Sequence, residues 1–189
     1  MVQIKFYKGI FLIGLLFLAC VWGCNNPAGV SHTQDTKIAF PFGKTYDYND
    51  ILVIRAVDGD TLLLEDGERV RLIGIDTPEM HDSNKLYRDS RRTKKSVRVI
   101  KKMGRDAWEF TKQLVEGKRV RLEFDVEKRD RYDRLLAYVY LKDGVFVNAA
   151  IVQQGYASLM SIPPNVKYAD LFVKLYQEAR ENKRGLWKE

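Results

Sequence analysis

Between Ile51 and Ile75 the apolar side chains come in short runs broken by Asp-Gly turns. Ile51 to Val57 is β-branched, Asp58-Gly59-Asp60 turns the chain, and Thr61 to Leu64 is a second apolar run, which is the signature of a hairpin. Asp66-Gly67 then leads into Arg69 to Ile75, completing a three-stranded meander. Residues 77–104 are polar and basic and read as a loop. From Arg105 the apolar positions Ala107, Phe110, Leu114 and Val115 recur at helical spacing, with Gly117 where a helix ends and Trp108 assigned to the core. Val120, Leu122 and Phe124 alternate with charged residues, and Leu135 to Leu141 forms a fifth strand closed by Asp143-Gly144. A short helix is predicted over Asn148 to Gln154, and Tyr168 to Lys183 carries Leu171, Leu175 and Ala179 on one face. Five short antiparallel strands with about three helices, one of them between strands three and four, form the α+β element order of a five-stranded OB-fold β-barrel.

At 189 residues the chain has room for one domain, and 46% hydrophobic with 12% aromatic residues excludes a disordered polymer. The net charge of +7 favours polyanionic partners. Only Cys20, Cys24 and two histidines are present, so a disulfide framework and a Cys/His zinc site are excluded from the globular part, and any metal there takes oxygen ligands.

Lys5 and Lys8 precede an uncharged run from Gly9 to Cys24. It is short for a permanent spanning helix and has the layout of a cleaved signal peptide, residues 1–23, with an uncleaved anchor as the alternative. Val21-Trp22-Gly23-Cys24 resembles a bacterial lipobox, in which the cysteine after a small residue is lipidated. Cleavage at the competing Cys20 would leave Cys24 as a spare thiol, so Cys24 is the expected lipidation site. Residues 24–47, rich in Pro, Gly, Ser, Thr, Asn and Gln, read as a tether holding a domain of residues 48–189 at the cell envelope; a secreted protein is the alternative.

A two-residue loop at Asp66-Gly67 would set Asp60 opposite Ile73 and Leu62 opposite Arg71, making Asp60 and Arg71 diagonal neighbours on one sheet face. Asp76 has the opposite parity and joins them only if its strand ends or bulges by Ile75, before Thr77-Pro78. Two carboxylates with free carbonyls suit a hard cation, calcium above all. An adjacent arginine suits a phosphate, and Glu79 suits a base that activates water. Singly, each feature has an ordinary structural explanation: a turn, a solvated arginine, an exposed charge.

Their order is more specific. Asp58-Gly59-Asp60-Thr61, Arg71-Leu72 with Asp76-Thr77-Pro78-Glu79, Asp130-Arg131-Tyr132-Asp133-Arg134-Leu135-Leu136-Ala137-Tyr138, Val147-Asn148 and Gly185-Leu186-Trp187 together resemble the thermonuclease, or staphylococcal nuclease, family over residues 50–188. The resemblance implies a calcium-dependent OB-fold nuclease that hydrolyses phosphodiesters in DNA and RNA to leave 3′-phosphates. It implies Asp60, Asp76 and the Thr77 carbonyl as calcium ligands, Glu79 as general base, and Arg71 and Arg134 at the scissile phosphate. Arg131 and Tyr132 would grip a terminal phosphate, and Asp58 would support the site. Two stretches depart from the family pattern. Ser158 to Pro164 lacks the tyrosines the family supplies after Gly155, leaving Tyr156 or Tyr168 as the available substitutes. Lys85 to Arg105 carries ten Lys or Arg against the single acid Asp89, which reads either as a solvated loop or as an electrostatic arm for nucleic acid. His81 reads as a surface residue. The rival readings are an OB-fold lipoprotein that binds nucleic acid without cutting it and a non-catalytic surface lipoprotein.

Overall fold

The computed structural model describes residues 37–39 and 45–188. The expected signal peptide, Cys20 and Cys24 lie outside the described residues. Within the expected tether, β1 (Lys37–Ala39) and β2 (Thr45–Asp47) pair antiparallel, with Lys37 opposite Asp47.

The predicted meander and the two later strands close on one another. β3 (Ile51–Asp58), β4 (Thr61–Leu64), β5 (Arg69–Leu72), β7 (Arg119–Glu123) and β8 (Leu135–Leu141) form a barrel in the order β3-β4-β5-β8-β7. Alternation along each strand sends Ile51, Val53, Leu62, Leu64, Val70, Leu72, Val120, Leu122, Leu135 and Val139 into a common core. Each such side chain contributes about 1.5–3 kcal/mol by leaving water. The all-antiparallel expectation is corrected at one seam, where β5 and β8 run parallel, with Arg71 opposite Leu136. A closed ring of five strands cannot alternate direction throughout, so one parallel pair is a consequence of closure.

The β4–β5 register is also one residue from the expected one: Thr61, not Leu62, faces Arg71. Gly67, at φ +87°, lengthens the turn, and Leu64 donates its N–H to Glu68 O across it. The third strand of the meander stops at Leu72. Gly74 then adopts φ +84°, which its missing Cβ permits, and β6 (Gly74–Asp76) leaves the barrel to pair with β9 (Ser158–Met160). Buried Asn148 holds this break: its Nδ2 donates to Ile73 O at 2.9 Å, and its Oδ1 accepts from Val139 N at 3.0 Å.

Among the described residues there are four α-helices, α1 (Asn84–Thr93), α2 (Val97–Val115), α3 (Val147–Gln153) and α4 (Ala169–Glu181), followed by a 3₁₀ turn over Gly185–Trp187, and they agree with the α+β barrel expected. The basic stretch expected as a loop is α1 plus the first half of α2. Each of these two helices starts at a serine cap, Ser83 Oγ accepting from Leu86 N and Ser96 Oγ from Val99 N. Leu86, Ile100, Gly104 and Ala107 are buried, so the apolar stripe of α2 extends two turns upstream of Arg105. Among the described residues, no helix is long and apolar enough to cross a membrane.

Candidate active site

The break between β5 and β6 sets the site. Arg71 is the next-to-last residue of β5, Asp76 ends β6, and the turn before β4 carries Asp60. Ending the strand at Leu72 removes the parity conflict that would have kept Asp76 away. Arg71, with 11% of its side chain exposed, lies between the two carboxylates: Nη1 forms an ion pair with Asp60 Oδ2, and Nη2 donates to Asp76 Oδ1 at 3.0 Å. Asp60 Oδ2 also accepts from Thr77 N at 2.9 Å and from Thr77 Oγ1 at 3.1 Å, which fixes the Thr77 backbone. Thr61 Oγ1 donates to Asp60 Oδ1.

Beyond Thr77, three oxygens converge on one cation. Lys85 Nζ lies 2.9 Å from Thr77 O, 3.3 Å from Asp76 Oδ2 and 3.2 Å from Glu79 Oε1. Asp60 is joined to this group through Arg71 and Thr77. Among the described residues, no group of three or more His, Cys, Asp or Glu side chains is arranged to hold a metal ion; the convergence at Lys85 has two carboxylates and a backbone carbonyl. Its chemistry fits a hard cation, because an ammonium already occupies the focus of those oxygens. Burial pushes the Asp76 carboxyl up against the pull of Lys85 and Arg71. Burial and then the Asp60 charge push Asp58 up to about 6. Burial alone would lower the Lys85 ammonium, but Asp76 and Glu79 outweigh it and raise it.

Glu79 is fixed by α2 from below. Gly104 packs so closely that a Cβ there would lie 2.6 Å from the Glu79 carbonyl carbon and 2.7 Å from its oxygen. Neither Lys85 nor Gly104 was assigned a role from the sequence. The usable signal was the pair of serine caps, which would have turned the basic loop into helices and brought both residues next to Glu79.

A pocket of about 460 Å³ adjoins this cluster, lined by Arg71, Arg131, Tyr132, Arg134, Met160 and Ile162 among others. It brings the two expected phosphate arginines to one cavity. Asp130 organises that side: Oδ1 accepts from Tyr132 N and Arg134 N, and Oδ2 accepts from Arg134 Nε at 2.8 Å. Burial would raise the Asp130 carboxyl, but these hydrogen bonds hold it below the usual range. The Arg131 and Arg134 guanidiniums lie 4.7 and 5.5 Å from the Tyr132 ring centre. Tyr156 and Tyr168 do not line the pocket. Tyr156 stacks on Phe110, and Tyr168 donates to Glu123 and packs edge-on to Tyr138. Met160 and Ile162 form the wall there instead.

A closed five-stranded mixed barrel with four helices among the described residues is an OB-fold-like framework, and its broken strand joins paired carboxylates to an arginine-lined pocket. Residues 69–189 match the family model described as staphylococcal nuclease homologue. The chain is 34% identical over 186 residues to the thermonuclease of Staphylococcus intermedius, covering 97% of this chain and 98% of that protein. It is 35% identical over 138 residues to the thermonuclease of Staphylococcus hyicus, covering 71% and 73%. It is 36% identical over 165 residues to endonuclease YncB of Bacillus subtilis (strain 168), covering 85% and 67%. The chain belongs to the staphylococcal nuclease family, and that membership supports nuclease activity in general.

Proposed function

We propose that this protein is a calcium-dependent nuclease that hydrolyses phosphodiester bonds of DNA and RNA to leave 3′-phosphates, held at the cell envelope by a lipid on Cys24. The observation that carries the catalytic reading is the joining of two features at Arg71: the oxygen cluster of Asp76, Thr77 and Glu79, and the pocket that also contains Arg134. Asp60, Asp76 and the Thr77 carbonyl would hold calcium, which when bound supplies positive charge to the reacting phosphate. Arg71 and Arg134 bind the phosphate oxygens and stabilise the charge that grows as the phosphorus becomes five-coordinate. Glu79 accepts a proton from the attacking water. The new P–O bond forms as the bond to the 5′-oxygen breaks, and that oxygen takes a proton from water as it leaves. Asp130 keeps the Arg134 guanidinium turned and paired until substrate arrives. Arg131 and Tyr132, on the same pocket wall, would bind a neighbouring phosphate.

The test separates turnover from binding. Glu79→Gln, Arg71→Ala and Arg134→Ala should lower turnover on single-stranded DNA by on the order of 10²- to 10³-fold while weakening DNA binding far less. Binding without cleavage in the unmutated protein would instead support the nucleic-acid-binding module. For the anchor, mass spectrometry of the mature protein should find acyl groups on an N-terminal Cys24, and an unmodified N-terminus beyond residue 24 would refute it.

A further inference from the structure

We infer that Lys85 is a built-in competitor for the divalent cation: its ammonium holds the oxygens of Asp76, Thr77 and Glu79 when no metal is bound and moves to Asp89 when one enters. The inference rests on the calcium reading above and adds to it a residue that sets how tightly the cation is held.

An ammonium has three protons, and three oxygens at 2.9–3.3 Å satisfy them. Asp76 Oδ1 is already engaged by Arg71, so Lys85 takes the carboxylate oxygen that faces Glu79 and Thr77. Without a cation, the Asp76 and Glu79 carboxylates would repel across this focus. Lys85 thus keeps the metal-free site folded and neutralised. The backbone under it is fixed, since Lys85 is the second residue of α1, next to the Ser83 cap and fully buried Leu86. Its four-carbon stem is flexible, however, and a second acceptor lies one helical turn along: Asp89 Oδ2, at 3.7 Å from Nζ. The ammonium can therefore change partners by side-chain rotation alone. A calcium ion, which takes six to eight oxygens, would use Asp76 Oδ2 and Thr77 O of these three and add others, Asp60 among them, leaving Glu79 free as the base. Binding then requires the ammonium-free state, and the apparent affinity falls by the fraction of time that state is populated.

The experiment is calorimetric titration of calcium chloride into the full chain, comparing the unmutated protein with Lys85→Met and with Lys101→Met. Lys101, paired with Asp82 at 2.8 Å, is a charge-matched control on the same basic stretch. If the ammonium holds the site about nine-tenths of the time, Lys85→Met should bind calcium about tenfold more tightly. Lys101→Met should change affinity by less than about twofold, as expected for a screened charge. In chelator, Lys85→Met should melt several degrees lower and regain that loss with calcium. In the unmutated protein, the ¹⁵N ammonium resonance of Lys85 should be sharp in chelator and broaden or shift on adding calcium, a measurement that needs no variant to fold. Equal or weaker calcium binding by Lys85→Met, an equal gain in Lys101→Met, an unchanged melting temperature in chelator, or a calcium-insensitive ammonium signal would each overturn the competitor role and leave the calcium reading intact. Absence of calcium binding in every protein would overturn both.

Discussion

Gly104→Ala adds one methyl group directly beneath the proposed base. The new Cβ would lie 2.6 Å from the Glu79 carbonyl carbon and 2.7 Å from both Glu79 O and Met80 N. Ordinary van der Waals contact begins near 3.4 Å, so the backbone of Glu79 must move by about 0.8 Å, because no flexible side-chain tip is available to yield. Two effects on stability oppose each other. Alanine in a helix interior gains about 1 kcal/mol over glycine, while overpacking a buried contact costs about 1–3 kcal/mol. The net loss should be about 1 kcal/mol, leaving the protein folded. Catalysis is more sensitive, since a misplacement on the order of 1 Å can cost about 10²-fold. Steady-state cleavage of single-stranded DNA at saturating calcium should therefore show kcat lowered by about 10- to 10²-fold with KM within about twofold. Gly67→Ala is the control: it strains a φ of +87° but has nothing within 4 Å of the added methyl, so it should cost stability and leave kcat unchanged. A folded Gly104→Ala protein with kcat within twofold of the original would refute the claim that α2 positions Glu79.

Asp130→Asn should lower kcat by roughly tenfold, less than removal of Arg134 itself, because the guanidinium remains but loses the carboxylate that aims it; unchanged turnover would remove Asp130 from the site's support. Asp58 ionises near 6 in the folded chain against 3.8 ordinarily, so the folded state binds its proton more tightly, and the resulting stability is present below about pH 4 and lost as pH rises through 6. Asp58→Asn should therefore gain stability at pH 8 relative to pH 4 in chelator, by on the order of 1–3 kcal/mol in urea titrations, and a pH-independent effect would contradict the assignment. Arg91, Arg92, Lys94 and Lys95 are exposed on and after the last turn of α1. Changing all four to Gln should flatten the salt dependence of single-strand binding by up to about three units of log–log slope and raise KM on long polymers while sparing dinucleotide-sized substrates; equal effects on both would make the stretch a solvated surface.

The barrel was legible because its strands carry period-two apolar runs bounded by Asp-Gly turns, a signal that survives without knowledge of the partners. Directions and registers were less so. The parallel β5–β8 seam follows from closing five strands, which no single strand encodes, and the one-residue shift at Thr61–Arg71 depends on Gly67 taking φ +87°. The residues Asp60, Arg71, Asp76, Thr77 and Glu79 were readable as an ordered set, and the break after Leu72 that gathers them was foreseen only as a condition on Asp76. In the sequence Lys85 is one charge among ten. Its place at the focus of three oxygens depends on α1, which the density of lysine and arginine hid and the serine caps would have revealed.

Calcium-dependent cleavage is measured by incubating the full chain, purified in detergent, with a 5′-labelled single-stranded oligonucleotide in chelator, in chelator with excess calcium, and in chelator with excess magnesium. A calcium-dependent mechanism gives no cleavage in chelator, cleavage restored by calcium to fragments ending in 3′-phosphate, and little restoration by magnesium, which demands a tighter octahedral set of oxygens than the proposed ligands Asp60, Asp76 and Thr77 would offer. Full cleavage in chelator, or fragments ending in 3′-hydroxyl, would contradict it.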